Sequence, residues 1–324
     1  MEDKKTLYTV SASPHAKNPS SAAGVMLDVI IALLPAGVMG TIVFGLKALA
    51  VIGVCVASAV AFEFLYTKLM KKSVTVGDLS AVVTGLLLAY NLPVDIPLWM
   101  CLIGSFVAIV VVKQFFGGLG QNFANPAITA RIVLLVSFAG SMTKFADPKL
   151  PDAVTGATPL AVLGGAEGEL PTLLQMLFGV KGGCIGEVSG AALLLGALYL
   201  LARRVISWRI PVAFIGSAAI FMLIYSKGDF EYTAYELLAG GLLLGALFMA
   251  TDYTTSPINK TGKLVFGIGC GVLTCVIRLY GSLPEGVSYS ILLMNILTPL
   301  IEKATMPKYF GKLKKKKTKE GKAA

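Results

Sequence analysis

The sequence predicts an all-α polytopic membrane protein of about ten transmembrane helices, arranged as two inverted five-helix repeats. Three observations carry that prediction. Hydrophobic residues make up 56% of the chain and charged residues 14%, and the mean hydropathy of +0.78 lies well outside the soluble globular range. Apolar runs recur along the chain at lengths comparable to the ~20 residues a bilayer demands. The two halves also echo each other. Thr84-Gly-Leu-Leu-Leu-Ala is matched by Gly240-Gly-Leu-Leu-Leu-Gly, and Lys113-Gln-Phe-Phe-Gly-Gly-Leu-Gly by Ile277-Arg-Leu-Tyr-Gly-Ser-Leu-Pro. With an odd number of spans in each half, such repeats are inverted in the membrane and usually enclose a site at their interface.

Residues 1–24 are read as a cytoplasmic N-terminal segment. Met1 to Ser21 are polar, with no apolar core or small-residue cleavage site, so the first span is expected to serve as the insertion signal. The first repeat, 25–142, contains runs at Val25–Phe44, Ala48–Tyr66, Leu79–Leu92, Ile96–Phe116 and Pro126–Met142. A loop at 143–188 follows, rich in charges, prolines and glycines, with one short amphipathic piece from Leu170 to Val180. It is too long for a tight connection. The second repeat, 189–302, contains runs at Ser189–Leu201, Ile210–Tyr225, Ala234–Ala250, Leu264–Tyr280 and Val287–Ile301, and residues 303–324 form a Lys-rich tail. Leu79–Leu92 and Ser189–Leu201 are short for spans, as in transporter-like folds whose interrupted helices surround a central site.

Orientation follows from the basic residues of the short loops. An N-terminus inside the cell places Lys68, Lys71, Lys72, Lys113, Arg203, Arg204, Arg209, Lys260, Lys263 and the tail on the cytoplasmic side. Only Lys47, Lys144, Lys149, Lys181, Lys227 and Arg278 then fall on the other face. Both termini are therefore expected inside and the 143–188 loop outside. The net charge of +10 owes much to Lys308–Lys322. That run reads as a solvated tail touching anionic membrane lipid, and the absence of an aromatic stacking platform argues against nucleic acid.

Cys55, Cys101, Cys184, Cys270 and Cys275 form no CxxC pair, and four of them lie in apolar runs as small buried hydrophobes. Cys270 and Cys275 lack the two further ligands a cluster needs, and the single His15 excludes a haem or zinc site built from this chain's histidines. No metal site and no catalytic side chain are expected.

Within the long loop, Pro151 to Leu160 reads Pro-Asp-Ala-Val-Thr-Gly-Ala-Thr-Pro-Leu. Gly156 and Ala157 leave the backbone bare beside the Thr158 hydroxyl, and Pro159 keeps Thr158 out of the helical conformation. Alone, the tetrapeptide is equally a plain turn. Thr155-Gly-Ala-Thr158 resembles the Ser/Thr-Gly-Ala-Thr sequence on which flavin transferases esterify a threonine with the phosphate of FMN. Along nearly its whole length the chain also resembles the D-subunit family of Rnf complexes, related to the B subunit of sodium-pumping NADH:quinone oxidoreductases. The match rests on Ser13-Pro-His15, Gly77-Asp-Leu-Ser-Ala81, Thr84–Ala89, Leu92-Pro-Val-Asp-Ile-Pro97, Phe116-Gly-Gly-Leu-Gly-Gln-Asn122, Asn125-Pro-Ala127 and Ala130-Arg131 in the first half. In the second half it rests on Gly186-Glu-Val-Ser189, Trp208-Arg-Ile-Pro211, Met249-Ala-Thr-Asp252, Thr255-Ser-Pro257, Pro284-Glu-Gly286 and Leu292-Leu-Met-Asn295. Thr155 departs from the commoner Ser, a conservative change.

The resemblance implies a flavoprotein subunit of an ion-translocating electron-transport complex in a bacterial or archaeal cell membrane. Covalent FMN on Thr158 and a non-covalent riboflavin would pass electrons across the membrane, coupling ferredoxin:NAD oxidoreduction to export of H⁺ or Na⁺. The partners implied are the complex's other membrane and peripheral subunits and a flavin transferase. Asn122, Asn125 and Gly118 are the candidates for the riboflavin. Gly117, Gly118 and Gly120 equally serve close helix approach, and Asn122, Asn125 and Pro126 equally serve as an N-cap and first-turn proline. Arg131 is costly in lipid and is expected to face a carboxylate or a flavin. Glu63 and Asp252 are candidates for a cation path, or else charges at the level of the interface. A secondary transporter or channel without flavin is the alternative reading, and a colourless purified chain would favour it.

Overall fold

A computed structural model describes residues 21–146, 158–168, 170–179, 181–281 and 285–307. The N-terminal segment with His15, residues Pro151 to Ala157, Pro284 and the tail from Lys308 lie outside the described residues. Among those described, every regular element is a helix. In chain order these are α1 (Ala22–Phe44), α2 (Leu46–Leu69), α3 (Ser80–Tyr90), α4 (Leu98–Gln114), α5 (Pro126–Ser137) and α6 (Ala139–Met142). Then follow α7 (Pro159–Leu163), α8 (Leu173–Phe178), α9 (Gly190–Ala202), α10 (Arg209–Tyr225), α11 (Phe230–Leu238), α12 (Leu242–Met249), α13 (Lys260–Tyr280) and α14 (Val287–Thr305).

All ten apolar runs are helical, but their lengths differ widely. Only α1, α2 and α13 are long and apolar enough to cross a membrane alone, and α11 with α12 makes a fourth if the 67° bend between them is counted within one span. The bend has a local cause. Ala239, Gly240 and Gly241 interrupt the helix, and Gly240 adopts a left-handed φ of 62° that a side chain would resist. Helix α3 is buried on nearly every side and ends at Asn91-Leu92-Pro93. A helix that is apolar all round belongs in an interior, which is where α3 sits, against α1, α2 and α5. The Pro126–Met142 run divides at Phe138 into α5 and α6. Both α4 and α12 end in wide-turn π segments, Val107–Gln114 and Gly245–Met249.

The helices pack as two connected groups. Helix α2 packs on α3 and α4, α10 packs on α13, and α13 packs on α14. The groups join where α1 meets α9 and where α5 meets α14. Small residues set these contacts, as expected where lipid offers no hydrophobic drive between helices. A Cβ at Gly196 of α9 would overlap the Ala32 carbonyl of α1, and one at Gly271 of α13 would lie 2.6 Å from the Phe214 carbonyl of α10. The chain's lipid-facing apolar residues, such as Ile42, Leu198 and Ile224, are exposed in the isolated chain.

Gly216 lies on α10 with open space around it, so it is an internal control for Gly271. Gly271→Val should destabilise the detergent-solubilised protein by about 1–3 kcal/mol through overpacking, read as a lower apparent Tm, while Gly216→Val leaves the Tm nearly unchanged.

Candidate functional site

Two cavities lie toward opposite ends of the helix bundle. The first lies between the starts of α1, α3 and α5 and the segment after α12. Its polar wall is Ser80, Thr84, Lys113, Asn122, Asn125, Asp252 and Thr254, and Val25, Met26, Leu87, Leu119 and Phe248 supply apolar surface. Apolar walls with a few convergent polar groups have the form of a small-molecule site.

The two asparagines predicted together do meet here, but in different roles. Asn125 is the N-cap of α5, its Oδ1 accepting from the N–H groups of Ala127 at 3.1 Å and Ile128 at 3.3 Å, with Pro126 at the first helical position. Its Nδ2 donates to the Met249 carbonyl at 3.2 Å, so the amide is fully engaged within the protein. Asn122 differs: its Oδ1 is buried and has no partner, an acceptor waiting for a donor. Gly118, with φ of 99°, shapes the turn after α4 but does not line the cavity.

Lys113 is buried in the wall, and its Nζ donates to Glu63 Oε1 and Oε2 at 3.0 and 2.8 Å and to Ser80 Oγ at 2.6 Å. Gln114 at 3.1 Å and Thr75 at 2.8 Å complete the bonds to Glu63. Glu63 is thus the internal counter-ion of Lys113. The Lys–Glu pair is inaccessible to a cation unless Lys113 leaves. Asp252 folds back on its own turn, accepting from the Thr254 and Thr255 hydroxyls at 2.9 and 3.2 Å. Burial pushes its carboxyl above the ordinary carboxylate range, and the bonds from Thr254 and Thr255 oppose that.

The second cavity is lined by Arg131, Leu135, Met142, Phe145, Thr158, Leu160, Glu187, Gly240 and Glu285 among others. Thr158 is extended, as the residue before a proline should be, and its hydroxyl accepts from the Ala161 N–H at 3.2 Å, capping α7. Capping uses a lone pair and leaves the O–H group free. Arg131 does not join Asn122 and Asn125. It lies six residues beyond Asn125 on α5, roughly 9 Å along the axis, and faces this other cavity. Nη1 donates to Asn91 Oδ1 at 3.0 Å and Ser288 Oγ at 3.1 Å; Nη2 donates to Cys184 Sγ at 3.6 Å and to Glu285. Cys184, Glu187 and Glu285 present ligand-type atoms within 4.8 Å of one another. The positive charge they surround is Arg131 itself.

Glu285 and Glu187 stand in the matched runs Pro284–Gly286 and Gly186–Ser189, but no role was assigned to them from the sequence. Continuing the internal repeat beyond Pro284 sets Glu285 opposite Gln121, a further signal. Glu187 Oε1 accepts from the Cys184 N–H at 2.6 Å. Cys184 itself is buried, although it was predicted on the surface loop. Behind the cavity, Arg278 donates to Glu236 Oε2 at 3.0 Å and to the Glu236 and Ala239 carbonyls at 2.6 and 3.0 Å, and Lys181 donates to the Leu238 carbonyl. These cations cap the interrupted end of α11.

Comparison with known proteins adds three findings. Residues 9–311 match the family described as NQR2, RnfD, RnfE. The chain is 52% identical over 312 residues to the D subunit of the Na(+)-translocating ferredoxin:NAD(+) oxidoreductase complex of Acetobacterium woodii, covering 95% of this chain and 97% of that one. It is 44% identical to the D subunit of the proton-translocating ferredoxin:NAD(+) oxidoreductase complex of Clostridium ljungdahlii, again covering 95% and 97% of the two chains.

The buried Lys113–Glu63 pair gives a stability prediction. Removing one partner alone, as in Lys113→Met, should cost about 3–5 kcal/mol because it strands the other charge, whereas Lys113→Met with Glu63→Met should recover most of that loss. The checking measurement is the apparent Tm of each purified variant.

Proposed function

The chain belongs to the NQR2, RnfD, RnfE family, and we propose that it is the flavin-carrying membrane subunit of an ion-translocating ferredoxin:NAD oxidoreductase. Its end-to-end coverage of the Acetobacterium and Clostridium relatives supports this reading, as do two cavities whose apolar walls carry a few convergent polar groups. We assign covalent FMN to Thr158, as a phosphoester, and a non-covalent riboflavin to the first cavity. When bound, the flavins supply one- and two-electron chemistry, and the protein supplies binding, orientation and charge.

The residues present fit both groups. Thr158 opens on a cavity walled by Leu135, Met142, Phe145 and Leu160, apolar faces suited to a flat ring, with Arg131, Glu187 and Glu285 on the polar side. In the first cavity the unpartnered Asn122 Oδ1 is the observation that carries the assignment, because it would accept from the imide N–H of an isoalloxazine. Asn125 holds the start of α5 in place, and the Lys113 ammonium lies in the same wall. Two carriers are needed on physical grounds, since a hydrocarbon core is ~30 Å thick and one hop across it would be too slow.

The finer architecture follows the same reading: two inverted five-helix repeats, 25–142 and 189–302, with the loop between them outside the cell and both termini inside. The cavities support it in one respect. Thr84 and Gly240, paired by the internal repeat, line the first and the second cavity respectively. Coupling to H⁺ or Na⁺ export belongs to the whole complex, and its other subunits and a flavin transferase are the partners.

Three experiments test these assignments. Thr158→Val should abolish in-gel flavin fluorescence of the denatured chain while leaving its yield unchanged; retained covalent flavin places the ester elsewhere. Asn122→Leu should deplete acid-extractable riboflavin at least tenfold, whereas Asn125→Leu should lower the Tm through loss of its cap, a change of about 0.5–2 kcal/mol. Because all five native cysteines are buried, Ala166→Cys and Lys72→Cys can be labelled with an impermeant thiol reagent without altering the background. They should react from opposite sides of the membrane.

A further inference from the structure

The second cavity holds a charge arrangement that carrying a flavin on Thr158 does not by itself require. Arg131 is anchored at Nη1 by two neutral acceptors, Asn91 Oδ1 and Ser288 Oγ, while Nη2 faces the carboxylate of Glu285. The Arg131 side chain is 5% exposed and that of Glu285 16%. Arg131 projects from the middle of α5, whereas Glu285 lies on the segment leading into α14 and is the more accessible of the two. Glu187 adds a second carboxylate to the wall. With Arg131 counted, the wall carries one net negative charge; without it, two.

Resting on the reading of Thr158 as flavin carrier, we propose that Arg131 sets the reduction potential of that flavin. Its guanidinium Nη2 moves between Glu285 and the flavin's N1–C2 carbonyl edge according to the charge on that edge. Uptake of two electrons and one proton, the proton going to N5, leaves one negative charge spread over N1 and the C2 carbonyl. The electrons come from a one-electron carrier of the neighbouring subunits and the proton from water. An oxidised isoalloxazine is neutral, and in that state Glu285 is the better partner for Arg131. On reduction the edge becomes an anionic acceptor facing a planar, permanently charged fork, the geometry in which arginine binds best. The exchange keeps the Arg131 guanidinium, the more deeply buried charge of the pair, matched in both states. It also frees the Glu285 carboxylate only while the flavin is reduced.

A structural role for Arg131 and a charge-balancing one make different predictions for its partner. If the Arg131–Glu285 pair merely ties α5 to α14, removing either member should weaken the fold and leave the flavin's potential alone. If Arg131 balances charge, the two substitutions should move the potential in opposite directions. Arg131→Gln leaves two carboxylates beside the flavin and disfavours reduction; Glu285→Gln releases the guanidinium and favours it.

The test is spectroelectrochemical titration of the purified full-length chain, co-produced with a flavin transferase in an Asn122→Leu background so that the covalent flavin dominates the signal. Arg131→Gln should lower the equilibrium constant for two-electron reduction at least tenfold, about 30 mV, and Glu285→Gln should raise it by a similar factor. Arg131→Lys, which keeps the charge and loses the fork, should fall between Arg131→Gln and the parent. Potentials within threefold of the parent in both Gln variants, or shifts of the same sign, overturn the proposal while the flavin assignment stands. Should Arg131→Gln fail to fold, the sign of the Glu285→Gln shift decides. A parent chain with no covalent flavin overturns the Thr158 assignment itself and this proposal with it.

Discussion

A polar group surrounded by hydrocarbon has to find its partner inside the protein, and that constraint shapes both of the sites in this chain. Two helices stop within the bundle, α3 at Tyr90 and α11 at Leu238, and each leaves carbonyl groups without a helical partner. At the end of α3 the Asn91 amide turns back onto the Leu87 carbonyl at 2.6 Å, and its Oδ1 in turn accepts from Arg131. At the end of α11, Arg278 and Lys181 take the Glu236, Leu238 and Ala239 carbonyls. The cations therefore serve the backbone first. Interrupted helices are tolerable here because side chains from neighbouring helices complete them.

Three buried cations are each matched by a carboxylate. Lys113 has Glu63, Arg131 has Glu285 and Arg278 has Glu236. A buried ion pair adds little net stability compared with apolar residues of the same volume, while losing one partner is costly. Stability alone is thus a poor reason for keeping three such pairs. Two of them stand in cavity walls, and the third, Arg278–Glu236, reaches the glycine turn that lines the second cavity. Their placement ties the cost of charge burial to the cavities they border.

Neighbouring residues of one motif divide the work between scaffold and site. Asn125 spends its whole amide on the start of α5 and on the Met249 carbonyl, and Asn295 of α14, in its hydrogen-bonded amide orientation, accepts from the Asn125 N–H at 3.1 Å. That web fixes the wall from which Asn122 presents an unused acceptor. Thr158 combines both tasks in one side chain, since its oxygen caps α7 while its O–H group remains available. A phosphoester at that oxygen would keep a lone pair for the Ala161 N–H.

The amino-acid sequence by itself determined the membrane class, the ten apolar runs, the cap at Asn125-Pro126, the interrupted character of the short helices and the non-helical backbone of Thr158 before Pro159. Each is a local property, a matter of composition, of periodicity or of what one residue does to the backbone beside it. It did not determine which polar groups meet. Asn122, Asn125 and Arg131 sit within ten positions of one another, and the sequence left open whether Arg131 faces a carboxylate or a flavin. Six residues along a helix carry a side chain roughly 9 Å from its neighbour and turn it to another face. Arg131 consequently belongs with Thr158, Glu187 and Glu285, from distant parts of the chain. Glu63 was open to two readings, a cation path or a charge at the level of the interface, because its partner, Lys113, is 50 residues away and on a different helix. In a bundle whose exterior is lipid, apolar residues do not report which helices touch, and the pairing of buried charges is decided only when the helices have packed.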